Sequence, residues 1–420
     1  MNSRAGVIVI ALVFLTLRIA LLIARQPFFD ELFTMWITAK PFDGIVRALL
    51  HDSGPPLYYF VIHALRIHTV FGARIVSLVC ASVSFVLLVV AADAPVRRRD
   101  EAAPTRGRRT RASAATFLLA VFPPAVLFAV DARAYAMCAM FVTIGILALD
   151  RDRYDVAAIA FVFAAYSHYY GFFFFPLLLV RWRALVLALI AFAPGLWLAL
   201  HQPRDATAWI SREWPEALFA RPPTALIVIM VIAIIAAAIH WNRFTTMTVV
   251  PIACVIVLMI AGRSVYLPMR FESVIAPPLV LAIATSLQSW KPAIRRAMAT
   301  ALIATSVIIC VLATFDHAQR PVDDYRAAAL WSARLKGPLV ASGYCYLETI
   351  VNGRPDAIAF PPEQAEHPGW RAEPRPGSMP PVLPFYWIGE RGAPELSILR
   401  RTRRVQPIYA NARALVARVM

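Results

Sequence analysis

Lysine and cysteine are both scarce in this chain, and their scarcity excludes several kinds of site. The only lysines are Lys40, Lys291 and Lys336, so the formal net charge of +17 is carried almost entirely by arginine. The five cysteines form no CxxC pair and no cluster with histidine. Neither a disulfide framework nor a thiolate metal site is therefore indicated. Cys345 is the single cysteine outside the apolar runs.

Charged residues are also scarce. They make up 16% of the sequence, hydrophobic residues make up 60%, and the mean hydropathy is +0.64. Soluble domains have about 25% charged residues. The apolar residues stand in separate runs, each expected to form a helix, and a helix that crosses a membrane needs roughly 20 such residues. The runs are Val7–Ile23, Ile75–Ala92, Ala112–Val130, Ala184–Leu200, Ala225–Ile239, Met247–Ala261, Pro277–Leu287 and Met298–Phe315. The sequence therefore predicts an all-α polytopic membrane protein, whose first run has no small-residue cleavage site and is expected to remain as a helix.

Arginines between the apolar runs predict the topology. The loop after the second run is the richest in them, and it contains Arg97, Arg98, Arg99, Arg106, Arg108, Arg109 and Arg111. Such loops face the cytoplasm. With this loop inside, the N-terminus is cytoplasmic and the chain crosses the membrane about eleven times. Because the charge lies in short loops, no nucleic-acid partner is expected. Segment 154–180 fits one kinked helix or two helices, and the arginines that follow favour two.

This topology predicts two domains. Residues 1–315 form the transmembrane domain, in which 25–73 is an outer loop with interfacial helices. Residues 316–420 form a small α/β domain outside the cytoplasm, and no internal repeat is evident. In this domain we expect a helix over 323–331, strands over 338–346, 384–388 and 398–408, and no long regular element in the proline-dense stretch 355–384.

Polar residues at the predicted outer helix ends are the candidates for chemistry, because ionisable groups near the hydrocarbon are costly unless paired or functional. Asp30 and Glu31 follow the first helix in an aromatic setting. Two adjacent acids suit a general base. The same position suits the capping of a short interfacial helix, in which both acids would lie in the first turn.

Three further groups lie on the same predicted side. His51-Asp52-Ser53-Gly54-Pro55-Pro56-Leu57-Tyr58-Tyr59 is typical of a turn and a proline-started helix. Asp131-Ala132-Arg133-Ala134-Tyr135 is either a turn closed by an Asp–Arg pair or a place where arginine binds a lipid phosphate. Ser167-His168-Tyr169-Tyr170-Gly171 is by itself no more than an interfacial aromatic group.

In order, spacing and sidedness, these four groups resemble the GT-C glycosyltransferases of the protein mannosyltransferase and aminoarabinose transferase type, over roughly residues 1–290. That family has an Asp-Glu pair after the first helix, a Pro-Pro-Leu-Tyr-Tyr-like motif, an acidic-x-Arg-x-Tyr turn and a Ser/Thr-His-Tyr-Tyr turn. A fifth feature, an Arg-Tyr pair before a proline-rich helix, is matched only by Arg270-Phe271. The phenylalanine lacks the hydroxyl, so this chain departs from the family pattern at that position.

The resemblance implies an inverting transfer of sugar from a polyprenyl-phosphate carrier to a glycan, lipid or protein acceptor. It places the enzyme in the bacterial cytoplasmic (inner) membrane, with its active site and C-terminal domain on the outer face. It implies that Asp30 is the general base, assisted by Glu31, and that no cofactor is required, although this acidic pair leaves a divalent metal open. The residues expected around the donor are Asp131, Arg133, Tyr135, His168, Tyr169 and Arg270, and those on the acceptor side are Asp52, Tyr58 and Tyr59.

Two other functions remain compatible with the sequence. A multi-pass lipid or solute transporter or flippase is one, although such proteins tend to show internal repeats and charges near the bilayer midplane. A scaffold that keeps the fold without turnover is the other, supported by the departure at Phe271 and by the small C-terminal tail. Neither the sugar nor the acceptor is identified by the sequence.

Overall fold

A computed structural model of the protein describes residues 4–93, 114–203, 240–263, 265–366, 368 and 384–420. The helices before the first gap are α1 (Arg4–Ala24), α2 (Phe29–Thr38), α3 (Phe42–Leu49), α4 (Leu57–Ala64) and α5 (Val70–Asp93). Residues 114–121 are helical, and they are followed by α6 (Pro123–Leu127), a 3-10 helix (Phe128–Val130), α7 (Tyr135–Leu149), α8 (Tyr154–Ser167), a second 3-10 helix (Tyr169–Arg181) and α9 (Trp182–His201). Beyond the second gap lie α10 (Arg243–Ile260), α11 (Arg270–Ser286) and α12 (Pro292–Gln319).

Six of the described helical stretches are long and apolar enough to cross a membrane, so the chain is a multi-pass membrane protein. They are Ala5–Ala24, Val70–Ala91, Tyr169–His201, Arg243–Ile260, Arg270–Ser289 and Pro292–Ser332. Tyr135–Leu149 and Tyr154–Ser167 are apolar but shorter. The helix expected within 225–239 and the arginine loop 97–111 lie outside the described residues. The count of eleven crossings therefore stays a prediction.

Segment 154–180 contains two helices. The α-helix α8 ends at Ser167, His168 has an extended backbone with φ −151° and ψ 139°, and the 3-10 helix starts at Tyr169. The second helix packs closely on the first at Gly171, where a Cβ would lie 2.3 Å from the carbonyl carbon of Ala164. A glycine is needed there because any side chain would push the two helices apart.

The third apolar run is interrupted, although we expected one helix over 112–130. The helical stretch 114–121 stops before Phe122, and α6 begins with Pro123 and Pro124. Proline has no N–H to donate to the carbonyl four residues earlier, so a proline pair stops a helix. The short 3-10 helix Phe128–Val130 then leads into the turn that carries Asp131.

The chain divides into two compact units. The first unit comprises Met1–Arg25, Gly54–Val61 and Phe71–Ala318, and the second comprises Gln26–Ser53, Ile62–Val70 and Gln319–Met420. The core of the first unit lies mainly between α7, α8, α11 and the 3-10 helix Tyr169–Arg181, with Phe161, Phe174, Val274 and Val280 completely buried. The helix α11 is buried along most of its length and contains Pro277 and Pro278.

The second unit contains a five-stranded mixed sheet with helices on both faces. Its elements are α13 (Asp324–Ser332), β1 (Leu339–Ala341), α14 (Tyr344–Val351), β2 (Ile358–Ala359), β3 (Phe385–Glu390), α15 (Pro394–Thr402), β4 (Val405–Ala410) and β5 (Ala414–Val419). The strand order is β2-β1-β3-β5-β4. The strand β1 is parallel to β2 and β3, and β5 is antiparallel to β3 and β4. The expected α/β character of the C-terminal part is therefore confirmed.

The expected bounds of two strands in this part were partly wrong. The strand expected over 338–346 covers only Leu339–Ala341, because Gly343 turns the chain with a φ of 58° and α14 starts at Tyr344. The strand expected over 398–408 begins at Val405, since Ile398 belongs to α15. Ile398 lies in a helix whose Leu396 and Leu399 pack onto the sheet, a spacing typical of a helix face.

Residues of the expected outer loop fold together with the C-terminal sheet in the second unit. The ring of Phe29 in α2 packs edge-on against Tyr344 of α14, with ring centroids 5.2 Å apart. The amide of Gln26 donates to the carbonyl of Arg320 at 3.0 Å. The helix that carries Asp30 and Glu31 is thus held by residues more than half the chain away.

Candidate functional site

The expected site residues fall in both units, and each unit is described by itself. In the first unit, Asp131 is almost fully buried and forms an ion pair with Arg25 at the end of α1. Arg25 also donates to the carbonyl of Leu127 at 3.1 Å. The turn is therefore tied to α1 through Asp131, by an ion pair with Arg25 that the sequence did not indicate.

Arg74 also binds the end of α1. Its guanidinium is 3% exposed and donates to the main-chain carbonyl of Arg25 at 2.7 Å. Sequence reasoning missed both Arg25 and Arg74, although each stands at a terminus of a long apolar helix, where a charge is costly unless it is paired or functional. That position was a usable signal.

Arg133 is half-buried and donates to the phenol oxygen of Tyr59 at 3.2 Å. Its own carbonyl accepts a hydrogen bond of 3.3 Å from the hydroxyl of Ser77. The neighbouring Tyr58 is completely buried and donates to the carbonyl of Ala73 at 3.1 Å. Of the two tyrosines expected on the acceptor side, Tyr59 thus lies beside a donor-side arginine, while Tyr58 is engaged in packing.

Tyr135, His168 and Arg270 lie together. Arg270 donates to the phenol oxygen of Tyr135 at 3.1 Å. The imidazole of His168 lies between two rings, with its centroid 5.0 Å from that of Tyr135 and 4.4 Å from that of Tyr170. Its Nδ1 accepts from the main-chain N–H of Tyr170 at 3.2 Å. The turn that carries Arg133 thus leads into the phenol that binds Arg270 and packs against His168.

Tyr169 joins this region to the chain before α4. Its hydroxyl donates to the side-chain oxygen of Gln202 at 3.0 Å. The amide of Gln202 donates to the carbonyl of Gly54 at 2.8 Å and accepts from the N–H of Gly54 at 3.3 Å. Gly54 has a φ of 134°, which an L side chain rarely adopts. Gln202 was missed by sequence reasoning, although it is a polar residue directly after a long apolar helix.

The departure at Phe271 has a structural counterpart. Phe271 is buried and packs edge-on against Tyr170, with centroids 5.1 Å apart. The hydroxyl of Tyr170 donates to the carbonyl of Val265 at 2.9 Å and accepts from the N–H of Leu267 at 3.1 Å. Phe271 therefore supports a tyrosine that fixes the loop before α11.

The loop before α11 also contains a strained residue and a neutral phenol. Met269, which directly precedes Arg270, has a φ of 69°. A non-glycine residue in this region costs of order 1–3 kcal/mol and needs support from its surroundings. Tyr266 donates to the carboxylate of Glu272. Burial raises the pKa of Tyr266, so its phenol remains a hydrogen-bond donor.

In the second unit, Asp30 and Glu31 lie in the first turn of α2. Glu31 is completely buried, and its carboxylate accepts from the main-chain N–H of Phe28 at 3.2 Å. Glu31 therefore caps the helix, as the structural interpretation expected. Asp30 is half-buried. Asp52 follows α3 in a turn, where its N–H donates to the carbonyl of Leu49 at 3.2 Å.

Across the described ranges, no group of three or more His, Cys, Asp or Glu residues is placed to hold a metal ion. The acidic pair contributes one carboxylate to capping, and the remaining one belongs to no such group.

Comparison with known proteins identifies solved structures of similar fold. No protein-family model matches the sequence, and no curated protein matches it. Solved structures that match include ArnT from Cupriavidus metallidurans bound to undecaprenyl phosphate, at 15% identity and a TM-score of 0.59, and the same protein in the apo state, at 13% identity and a TM-score of 0.60. Each match covers 99% of this chain and 98% of the other. The chain therefore has an ArnT-like fold over nearly its whole length, which confirms the expected resemblance to the GT-C aminoarabinose transferases at the level of fold.

Proposed function

We propose that this protein is an inverting glycosyltransferase that moves a sugar from a polyprenyl-phosphate carrier to an acceptor outside the cytoplasm. The observation that carries the proposal is the binding of two guanidiniums to phenols: Arg133 binds Tyr59, and Arg270 binds Tyr135, which follows Arg133 in the same turn and packs against His168. Guanidiniums bind phosphate oxygens through two parallel hydrogen bonds. The ArnT structure of the same fold is bound to undecaprenyl phosphate, which supports a carrier of this class here.

Arg133 and Arg270 stabilise the departing phosphate in this scheme. Negative charge grows on the phosphate as the sugar leaves, and donors already in place lower the barrier because they need no reorganisation. Tyr59 and Tyr135 hold the two guanidiniums in position. Asp131, His168 and Tyr169 complete the donor side, Asp131 by holding the turn that carries Arg133 and Tyr135.

Asp30 is the proposed general base. The carrier phosphate is a good leaving group, so a single carboxylate suffices to deprotonate the acceptor hydroxyl, unlike the paired acids of a glycosidase. Such a base contributes about 10²–10⁴-fold to the rate. Glu31 fixes the helix turn from which Asp30 projects. Asp52 is assigned to the acceptor side.

In the proposed topology the enzyme lies in the bacterial inner membrane. Residues 316–420 and the loop 25–73 are outside the cytoplasm, and the acceptor is a glycan, a lipid or a protein. The fold of the second unit, in which α2 packs on α14, supports a joint role for these two segments.

The test is sugar transfer by the purified protein in detergent, with a panel of polyprenyl-phosphate sugars. Asp30→Asn should abolish transfer. Asp43→Asn is the matched control, because Asp43 is an exposed acid in the next helix and pairs with Arg47. Full activity of Asp30→Asn would remove Asp30 as the base. A wild-type protein that turns over no donor but moves labelled lipid across liposomes would be a flippase, and the proposal would be wrong.

A further inference from the structure

Arg18 lies inside the first membrane-spanning helix, about 9 Å before its end at Ala24 by the rise of an α-helix. The side chain is 1% exposed. Within the described residues no carboxylate pairs with it. A charged arginine at such a position is costly unless its donors are satisfied and its charge serves a purpose.

Main-chain carbonyls bind both terminal nitrogens of the guanidinium, while its Nε is buried without a hydrogen-bond partner. Nη1 donates to the carbonyls of Ala120 at 2.9 Å and Phe14 at 3.2 Å. Nη2 donates to the carbonyls of Leu119 at 3.3 Å and Ala125 at 3.2 Å. Three of these four acceptors belong to the interrupted segment 114–130.

Leu119 and Ala120 are the residues four positions before Pro123 and Pro124. In a continuous helix their carbonyls would accept from the N–H groups of residues 123 and 124, and proline has none. The neighbouring bonds persist, since Phe122 donates to Leu118 at 2.8 Å and Val126 donates to Phe122 at 3.0 Å. Arg18 thus supplies the two donors that the proline pair removes.

Arg25 lies on the same face of α1, since a separation of seven residues is close to two turns, or about 10 Å. Its side chain binds the carbonyl of Leu127 and the carboxylate of Asp131. One face of α1 therefore holds the segment 119–131 at two points. The segment leads directly into Arg133 and Tyr135, the donor-side groups of the proposed function.

A small cavity adds a second link between Arg18 and the site. It has a volume of about 30 Å³, and its lining includes Arg18, Phe128, Tyr135 and Ser273. Arg18 and Tyr135, which binds Arg270, therefore line the same cavity.

We propose that Arg18 is a positioning residue: it replaces the donors lost at Pro123 and Pro124 and so sets the placement of Arg133 and Tyr135. The inference rests on the proposed function for its effect on catalysis. Arg18 itself does not touch the donor in this scheme.

The test is a mutant cycle between Arg18→Met and the pair Pro123→Ala/Pro124→Ala, with kcat and donor KM measured for each protein. In the proline background, Arg18→Met should lower kcat/KM for the donor by about tenfold to a hundredfold, mainly through KM, because a displaced Arg133 binds the carrier phosphate less well in the bound substrate as well as in the transition state. In the alanine background, residues 123 and 124 again have N–H groups for these carbonyls, and the further loss should stay within about threefold. An equal loss in both backgrounds would overturn the proposal.

Two further variants control for loss of folding and for the general effect of replacing an arginine. Arg18→Lys keeps the charge but cannot span several carbonyls, so it should raise donor KM while the protein still folds. Arg183→Met, at an exposed arginine, is the matched control and should change neither value. A fall in melting temperature with unchanged donor KM would make Arg18 merely structural and would overturn its positioning role.

A readout without turnover separates this inference from the proposed function. Ala134→Cys places a thiol at a half-buried position in the turn, where a water-soluble maleimide measures its accessibility. Arg18→Met should change the labelling rate severalfold in the proline background and much less in the alanine background. This pattern in a protein that transfers no sugar would remove the proposed function and keep the inference, while equal labelling in all four proteins would overturn the inference.

Discussion

Arg270 and Tyr135 are the first residues of two helices, α11 and α7, and a hydrogen bond of 3.1 Å joins their side chains. Two helix N-termini therefore meet beside one guanidinium. The first turn of a helix presents N–H groups without helical partners and a partial positive charge. This arrangement favours an anion at the junction, as expected for a phosphate that departs from a sugar.

Replacing Arg270 should impair use of the lipid donor. In the proposed function Arg270 donates hydrogen bonds to the departing phosphate, and losing such a group costs about 10²–10³-fold in rate. Tyr135→Phe keeps the arginine and removes its hydrogen bond, so a smaller loss of about tenfold is expected, in line with the worth of a hydrogen bond to a charged group. Both are measured as kcat/KM against donor concentration. Wild-type donor dependence in Arg270→Ala would contradict this role.

Tyr58 and Tyr59 provide a matched pair of neighbouring hydroxyls. Tyr59→Phe removes the acceptor that orients Arg133, so donor KM should rise about tenfold with little change in melting temperature. Tyr58→Phe removes a buried hydroxyl that bonds within the core, so melting temperature should fall while donor KM stays unchanged. Kinetics and thermal unfolding in detergent test both variants. The reverse pattern would exchange their roles.

The ion pair of Arg25 and Asp131 should behave as a structural unit. Both side chains are largely buried, at 13% and 1% exposure. Removing one partner of such a pair costs about 3–5 kcal/mol, because the other charge is left buried. Asp131→Asn and Arg25→Gln should each lower stability strongly, and the double variant should lose less than the sum. Additive losses in thermal unfolding would show that the two groups act independently.

Much of the site region was predictable because its residues cluster at the ends of apolar runs. Asp131, Arg133, Tyr135, His168 and Tyr169 were identified in this way, and the structure describes them all within one unit. The sequence also favoured two helices in segment 154–180. The close approach that Gly171 permits is the physical reason for this pair, because it lets the second helix fold back on the first.

What the sequence concealed were contacts between distant residues. Nothing local in α1 indicates that Arg18 serves carbonyls about a hundred residues away. Pro123 and Pro124 mark the break in the third apolar run, but the apolar length of that run favoured one continuous helix. Likewise, the pairing of α2 with α14 depends on tertiary packing, which hydrophobic periodicity does not report.

Glu348 gives a pH dependence to the second unit. It lies in α14, is 4% exposed, and accepts from the amide of Asn352 at 2.7 Å. Burial raises the pKa of its carboxyl from the ordinary 4.5 to about 7, with Asp323 adding to the shift and Arg326 opposing it. The folded unit therefore binds the proton more tightly than the unfolded chain does. The contribution of Glu348 to stability is full below pH 4.5 and is lost as the pH rises through about 7.

Glu348→Gln should remove this dependence, because glutamine stays neutral and keeps the hydrogen bond to Asn352. The variant should be more stable than the wild type above pH 7, by about 1–3 kcal/mol at most, and should show a flatter profile between pH 4.5 and 7. Asp356→Asn is the control, since the hydrogen bond from Arg354 lowers the pKa of Asp356 and confines its effect to more acidic solution. Unfolding of the full-length protein across this pH range measures all three. If the stability of Glu348→Gln changed with pH as steeply as that of the wild type, a group other than Glu348 would cause the dependence, because the two proteins differ only at this residue.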